Sequence, residues 1–383
     1  MNASWIHRAT VDELTGQLVQ FDSVSSRTNQ PVNHFVAELL EGLGFQLEIH
    51  SFADEEGVLK TSLVAKRGTG EGGIAYLAHT DVVPVDDWHT GFSGPFEATE
   101  HEGKLYGRGT CDMKGSLAAA LKAISNISTV NQKKPLYLVV TADEEVGMRG
   151  ARQVDRESAL FQEMIDHEVI GIIGEPTELR VVHAHKGAAA FILRAVGVSA
   201  HTSTGEGANA NYRLIPALEP LLELRSHSEQ DPKYRNTDFQ PPTLSWNMVI
   251  RNEPLASNVT TSLAESVQFL RTMRGVDHGP LVEQMRTIAE KNGLEFLEKP
   301  GVAPWSVEPT SPWIVKMLEI VEKKHSETVC FATDGGVLQR LKRMMICGPG
   351  SIEQAHRNNE WIALEQLHRG VAVYEQAFRY WTH

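Results

Sequence analysis

Four apolar runs in the 383-residue chain end at potential ligands. Ile74–Ala78 leads into His79-Thr80-Asp81, and Leu136–Ala142 into Asp143-Glu144-Glu145. Val169–Gly174 leads into Glu175-Pro176. Met344–Gly350 leads, across a short loop, to His356. A fifth candidate, Asp112, sits in Gly107-Arg-Gly-Thr-Cys-Asp-Met-Lys-Gly115, just ahead of a helical stretch. Two imidazoles with several carboxylates suit zinc, cobalt or manganese, not a thiolate structural site. Two such ions about 3.5–4 Å apart need a bridge, and one short Asp can supply it. Asp81, two residues beyond His79, could orient that imidazole. Of the adjacent Glu144 and Glu145, one could bind metal while the other works as a base.

Each of these residues has an ordinary explanation when taken singly. Asp143-Glu144-Glu145 reads equally as a charged loop, and Glu175-Pro176 as a turn. Only their repeated position after apolar strands argues for a site, because ligands gather beyond the carboxyl ends of strands in open α/β sheets. Gly68-Thr-Gly70-Glu-Gly-Gly73 fits G-x-G-x-x-G, yet it precedes the Ile74 strand and opens no helix. It is therefore a turn and not a dinucleotide fingerprint. Cys111 beside Asp112 lacks any Cys/His spacing and reads as a small buried side chain.

The elements that must carry these residues alternate. Thr10-x-x-Glu13 is a capping box, and Pro31 opens a helical period through Val32, Phe35, Val36, Leu39 and Leu40 that stops at Gly44. Ile74–Ala78 and Met344–Cys347 read as strands, and Leu136–Val140 and Val169–Ile173 as strands buried on both faces. The order implies an α/β fold, a mixed sheet covered by helices with the candidate site at strand C-terminal ends. From about Val181 the pattern becomes α+β, and after the helix at Leu281–Lys291 it returns. The expected organisation is one discontinuous domain, residues 1–182 and 295–383, and a smaller inserted domain, residues 183–294.

Composition narrows the partners. Lys plus Arg total 36 against 49 Asp plus Glu, a net charge of −13, which repels nucleic acid and anionic lipid. No apolar run reaches the roughly 18 residues of a membrane span. Met1–Thr15 is polar and lacks a signal-peptide pattern. Three cysteines, Cys111, Cys330 and Cys347, form no framework, so the expected location is cytoplasmic. The sequons at Asn2, Asn126 and Asn258 then carry no meaning.

At the quoted stretches the sequence resembles a known family. His79-Thr-Asp-Val-Val-Pro84, Gly107–Gly115, Thr141-Ala-Asp-Glu-Glu-Val-Gly147, Gly174-Glu-Pro-Thr177 and Gly348-Pro-Gly-Ser351 with His356 match the dinuclear zinc-dependent amidohydrolases and exopeptidases. These include acetylornithine deacetylase, succinyl-diaminopimelate desuccinylase, the aminoacylases and glutamate carboxypeptidase. The resemblance runs over nearly the whole chain. It implies two divalent ions, zinc first with cobalt or manganese as substitutes. His79 and Glu175 would hold one, Glu145 and His356 the other, and Asp112 would bridge them. Asp81 would orient His79, and Glu144 would be the general base for a metal-bound hydroxide. The smaller domain would be a lid that also forms a homodimer, with His201 reaching the neighbour's site. Asn258 and Arg271 would line the site, Arg271 pairing with the substrate carboxylate. Thr333, Gly348 and Gly350 would contact substrate.

Within the family, Lys133-Lys-Pro-Leu-Tyr137, His183-Ala-His-Lys-Gly187 and Gly348–His356 look most like the acetylornithine deacetylase branch. The implied reaction is hydrolysis of an N-acyl-L-amino acid, N2-acetyl-L-ornithine foremost. A desuccinylase, a dipeptidase or aminoacylase, and a non-catalytic binding protein on the same fold are the alternatives. Three departures from the family pattern lie in the inserted domain. His201 is followed by Thr-Ser-Thr-Gly-Glu-Gly-Ala-Asn-Ala without the usual proline, Arg271 by Thr-Met-Arg-Gly275, and Phe269-Leu270 replace a common acidic position.

Overall fold

The computed structural model describes residues 3–383, so Asn2 of the first sequon, and the first two residues of the polar N-terminal stretch, lie outside it. Local signals act as chemistry requires. Thr10 Oγ1 accepts from the Glu13 N–H at 3.1 Å, and Glu13 Oε2 accepts from the Thr10 N–H at 2.9 Å. That reciprocal cap starts the helix Val11–Val19, which buries Val11, Leu14 and Leu18. Pro31 lies in the first turn of the helix Gln30–Gly42, where its missing N–H costs nothing. Gly44 at φ +84° then turns the chain.

The contacts divide the chain into two compact units. The first comprises Met1–Ala184, Val307–Glu327 and Thr333–His383, and the second His185–Ser306 with Thr328–Ala332. The first unit is built on a mixed sheet. Six of its nine strands run Gln46–Ala53, Leu59–Arg67, Leu136–Thr141, Ile74–His79, Ile170–Pro176 and Arg343–Gly348 in spatial order. The first two are antiparallel additions, and the last four are mutually parallel. Ile74–His79 and Leu136–Thr141 are buried at every position, as their unbroken apolar runs require of strands covered on both faces. Ile74, Tyr76 and Ala78 face the main core with Leu117, Leu121, Tyr374 and Phe378, while Ala75 and Leu77 are buried behind them. The helix Lys114–Ser125 packs between Val11–Val19 and Leu364–Thr382.

The second unit is an antiparallel four-stranded sheet. Its order is Asn247–Glu253, Leu263–Leu270, Ala188–Val196, Glu295–Val302. Helices Asn211–Gln230 and Gly279–Lys291 pack on one another beside it. Here the expected boundaries shift. The smaller domain does not end at residue 294, because Glu295–Val302 pairs with Ala188–Val196 and completes its sheet. Pro300-Gly301 hid that strand by breaking the alternation. The ladder slips between Lys299 and Val302, which an edge strand tolerates. The strand ahead of Arg271 ends at Leu270, and the terminal helix begins at Leu364, after a short strand Trp361–Ala363. Gly68, Gly70, Gly72 and Gly73 all have positive φ, which makes the rejected nucleotide motif a loop.

One close approach ties the fold to the site. A Cβ at Gly174, one residue before Glu175, would lie 1.9 Å from the Tyr76 hydroxyl and 2.6 Å from Ser116 Oγ. Gly174→Ala is expected to lower stability by about 1–3 kcal/mol through overpacking. Adding Tyr76→Phe, which removes the clashing oxygen, should recover part of the lost urea midpoint; no recovery would place the strain elsewhere.

Candidate metal centre

Parallel pairing brings four strand ends to one edge of the sheet. His79 closes one strand, and Glu175 is the second-to-last residue of its neighbour. The Leu136–Thr141 strand runs on into Asp143-Glu144-Glu145, and Arg343–Gly348 into the loop that carries His356. Asp112 arrives from the loop ahead of the helix Lys114–Ser125, and its peptide to Met113 is cis.

The five candidate ligands converge. His79 Nε2 is 3.1 Å from Asp112 Oδ1 and 3.7 Å from Glu175 Oε1. His356 Nε2 is 3.5 Å from Asp112 Oδ2 and 3.0 Å from Glu145 Oε2. The two oxygens of one aspartate therefore face two different His–Glu pairs. His79, Asp112 and Glu145 offer ligand atoms all within 4.8 Å of one another. His79 is 1% exposed and Asp112 6%, whereas the His356 side chain is 53% exposed. The cluster is closed on the His79 side and open on the His356 side.

Asp81 contributes in a way its spacing did not reveal. The orienting contact to His79 Nδ1 comes from the Asp81 backbone carbonyl at 2.9 Å, with the carboxylate further off at 3.7 Å. That carbonyl fixes the proton on Nδ1 and leaves Nε2 free to face Asp112. The carboxylate instead accepts from the Glu144 N–H at 3.0 Å, the Glu145 N–H at 3.3 Å and the Ser25 hydroxyl at 2.8 Å. It holds the turn that presents both glutamates. Behind it, buried Lys60 lies 3.2 Å from Asp143 Oδ1 and donates to the Ser25 carbonyl at 2.5 Å.

So many buried carboxylates oppose one another. Burial drives Glu144 well above the usual carboxylate range; Glu175, Asp334 and Glu145 add to this, and His79 opposes it. Burial and the nearby Asp112 raise Glu175 and Glu145 as well. Asp112 alone goes down: burial would raise it, but hydrogen bonds from His356 and His79 outweigh that. The same contacts with Asp112 and Glu145 push His356 up to about 10. His79 rises too, its hydrogen bond to Asp112 and the surrounding carboxylates overcoming the cost of burial. Such a set is short of positive charge, and oxygen and imidazole donors aimed at a common centre fit divalent cations.

The remaining expected site residues fall elsewhere. Thr333 is fully buried, and its hydroxyl caps the short turn Asp334–Gly336 by accepting from the Gly335 N–H. A Cβ at Gly348 would meet the Gly174 carbonyl at 2.1 Å, so that glycine lets two strands approach. The Gly348 and Gly350 carbonyls hold the turn after Glu175, through the Thr177, Leu179 and Glu178 N–H groups. His201, Asn258 and Arg271 belong to the second unit. There the His201 segment bridges Val259, and the Thr202 N–H donates to the Asn258 carbonyl at 3.1 Å. Arg271 follows its strand, its guanidinium 5.0 Å from the Phe269 ring.

Three buried residues were not singled out from the sequence. Asp334 accepts from Thr141 at 2.5 Å and is pushed up to about 6 by burial beside the acidic cluster. Lys60 and Glu360 support loops of the site. Asp334 stood next to a chosen residue, Thr333, but nothing in the spacing of Lys60 or Glu360 marks them.

A family model described as peptidase family M20/M25/M40 matches residues 75–380. The chain belongs to that family. Members are metal-dependent hydrolases of amide bonds, and this M20 chain is one of them. It is 34% identical over 370 residues to the acetylornithine deacetylase of Proteus mirabilis, covering 92% of each chain. Its fold is similar to that of the di-peptidase Dug1p of Saccharomyces cerevisiae, with TM-score 0.76, 14% identity, and 97% and 95% of the two chains covered. It is also similar to the YXEP protein of Bacillus subtilis, described as a dinuclear metal binding peptidase, with TM-score 0.59, 15% identity, and 97% and 98% covered.

A cation entering this M20 cluster must displace protons from His356 and the raised glutamates. Titrating Co2+ or Zn2+ into metal-free protein is expected to release protons. Affinity should rise with pH between about 6 and about 8. Calorimetry in buffers of different ionisation enthalpy checks both, and pH-independent binding would mean these groups are not the ligands.

Proposed function

We propose that this M20 chain hydrolyses N2-acetyl-L-ornithine to L-ornithine and acetate, a step of arginine biosynthesis, using two divalent cations, zinc foremost. The division of Asp112 between the His79–Glu175 and His356–Glu145 pairs carries the two-cation reading. The choice of substrate is supported by the likeness to acetylornithine deacetylase over nine-tenths of the chain. His79 and Glu175 would hold one ion, Glu145 and His356 the other, with Asp112 shared. When bound, the ions supply the positive charge that acidifies a water and stabilises the oxyanion formed from the amide carbonyl.

The protein's own residues do the rest. Glu144 takes a proton from the attacking water and delivers it to the leaving nitrogen as the C–N bond breaks. Water thus ends up divided between acetate and the free amine. Burial raises Glu144 toward the range where a carboxylate can both accept and return a proton near neutral pH. Of the second unit's residues, His201 would donate to the oxyanion, Arg271 would pair with the α-carboxylate, and Asn258 would also contact substrate. Thr333 and the Gly348 and Gly350 carbonyls, already spent on internal hydrogen bonds, would support the site from behind and not touch substrate themselves.

The smaller unit is proposed to form a C2 dimer in which His201 serves the neighbouring copy. Two features support this. The edge strand Asn247–Glu253 exposes Val249 and Ile250, and the helix Asn211–Gln230 exposes Tyr212, Ile215 and Leu222. Among the described residues no helix is long and apolar enough to cross a membrane, and all three cysteines are free. A cytoplasmic location accords with both.

Glu144→Gln is expected to keep both cations and lose about 10²–10⁴-fold in kcat. Loss of metal in that variant would instead make Glu144 a ligand. Amine release from N-acetyl, N-succinyl and dipeptide substrates tests the specificity; faster turnover of succinyl-diaminopimelate than of acetylornithine would move the chain to the desuccinylase branch. Ile250→Lys should give monomers in sedimentation with little residual turnover, and a fully active monomer would refute the shared site.

A further inference from the structure

Glu360 is 1% exposed and touches the loop that carries Asp112, not the cluster itself. Its Oε1 accepts backbone N–H groups from Gly109 at 3.0 Å, Cys111 at 2.9 Å and Asp112 at 3.0 Å. Its Oε2 accepts from Arg108 Nη1 at 2.8 Å, and Arg108, also 1% exposed, spends Nη2 on the Pro84 carbonyl at 3.2 Å. The Glu360 carbonyl accepts from the Gly107 N–H at 3.1 Å. One residue thus anchors the Gly107–Asp112 loop at four backbone N–H groups. The same residue ends the loop that carries His356.

Burying a further carboxylate beside Asp112, Glu144, Glu145 and Glu175 is costly unless it is paired. Arg108 supplies the pairing, so Glu360 adds hydrogen-bond acceptors without adding net charge. Apolar replacements could fill the same space more cheaply. What they could not do is hold the Asp112 peptide by its own N–H while leaving its carboxylate free.

We propose that Glu360, locked by Arg108, is the positioning residue that aims Asp112 at His356 and thereby completes the second cation site. This rests on the two-cation reading above. The two half-sites differ in what holds them. His79 and Glu175 stand on adjacent buried strands, and His79 already lies 3.1 Å from Asp112. Glu145 and His356 stand on a turn and a half-exposed loop, where the longer 3.5 Å approach of Asp112 Oδ2 depends on how its loop is set. Loosening that loop should therefore spare the first half-site and weaken the second.

The test is Co2+ binding to Glu360→Gln, followed by metal analysis after dialysis and by the magnetic coupling between the two cobalt ions. The expected result is one equivalent bound as in the parent and the second weakened at least about tenfold, with the coupling lost and turnover restored by excess cobalt. Arg108→Lys, which keeps the charge and loses the fork, should show the same selective defect in milder form. It serves alone if Glu360→Gln does not fold. Glu163→Gln, which disturbs the Tyr137 hydrogen bond on another part of the sheet, should bind two equivalents and controls for general destabilisation. Two tight, coupled equivalents in the folded Glu360 and Arg108 variants would overturn the proposal. A parent that binds only one equivalent would overturn the two-cation reading instead.

Discussion

A carboxylate shared between two imidazoles is the constraint on which this molecule turns. Asp112 is buried, and it keeps its charge only because His79 and His356 approach its two oxygens from different sides. Around it, Glu144, Glu145 and Glu175 are pushed toward protonation by burial and by one another. A protein accepts that frustration where binding or catalysis needs it, since packed apolar groups would be more stable there. The acidity of the cluster is therefore a stored demand for cations.

The fold answers the geometric half of that demand. Parallel strands can place side chains from distant parts of the sequence at one edge, because all their carboxyl ends point the same way. His79, Glu175 and the turn after Thr141 are held by strands buried along their whole inner length. Gly174 lets the Glu175 strand lie against Tyr76, and Gly348 lets the next strand lie against Gly174. The sheet holds the strand ends, and Glu360 with Arg108 ties the Asp112 loop to the end of the His356 loop.

Much of the first unit was legible from single stretches. Apolar runs of strand length ended at His79, Asp143 and Glu175, and the capping box at Thr10 and the glycine stop at Gly44 formed as their chemistry dictates. The smaller unit was harder to read. Glu295–Val302 joins its sheet through backbone pairing alone, and Pro300-Gly301 conceals it. Asp81 shows the same limit at the scale of one side chain. Its spacing from His79 suggested a carboxylate contact, yet the carbonyl makes it, and the carboxylate holds the Glu144 and Glu145 peptides.

The sequence by itself determined which residue types could bind cations, which runs would be buried strands, and the family to which the chain belongs. These follow from side-chain chemistry and local periodicity, both of which are written along the chain. Tertiary structure alone decided which oxygen of Asp112 faces which histidine. It alone showed that Glu360 reaches back about 250 residues to hold the Asp112 loop. Those facts depend on contacts between segments far apart in sequence, and no local pattern encodes such a distance.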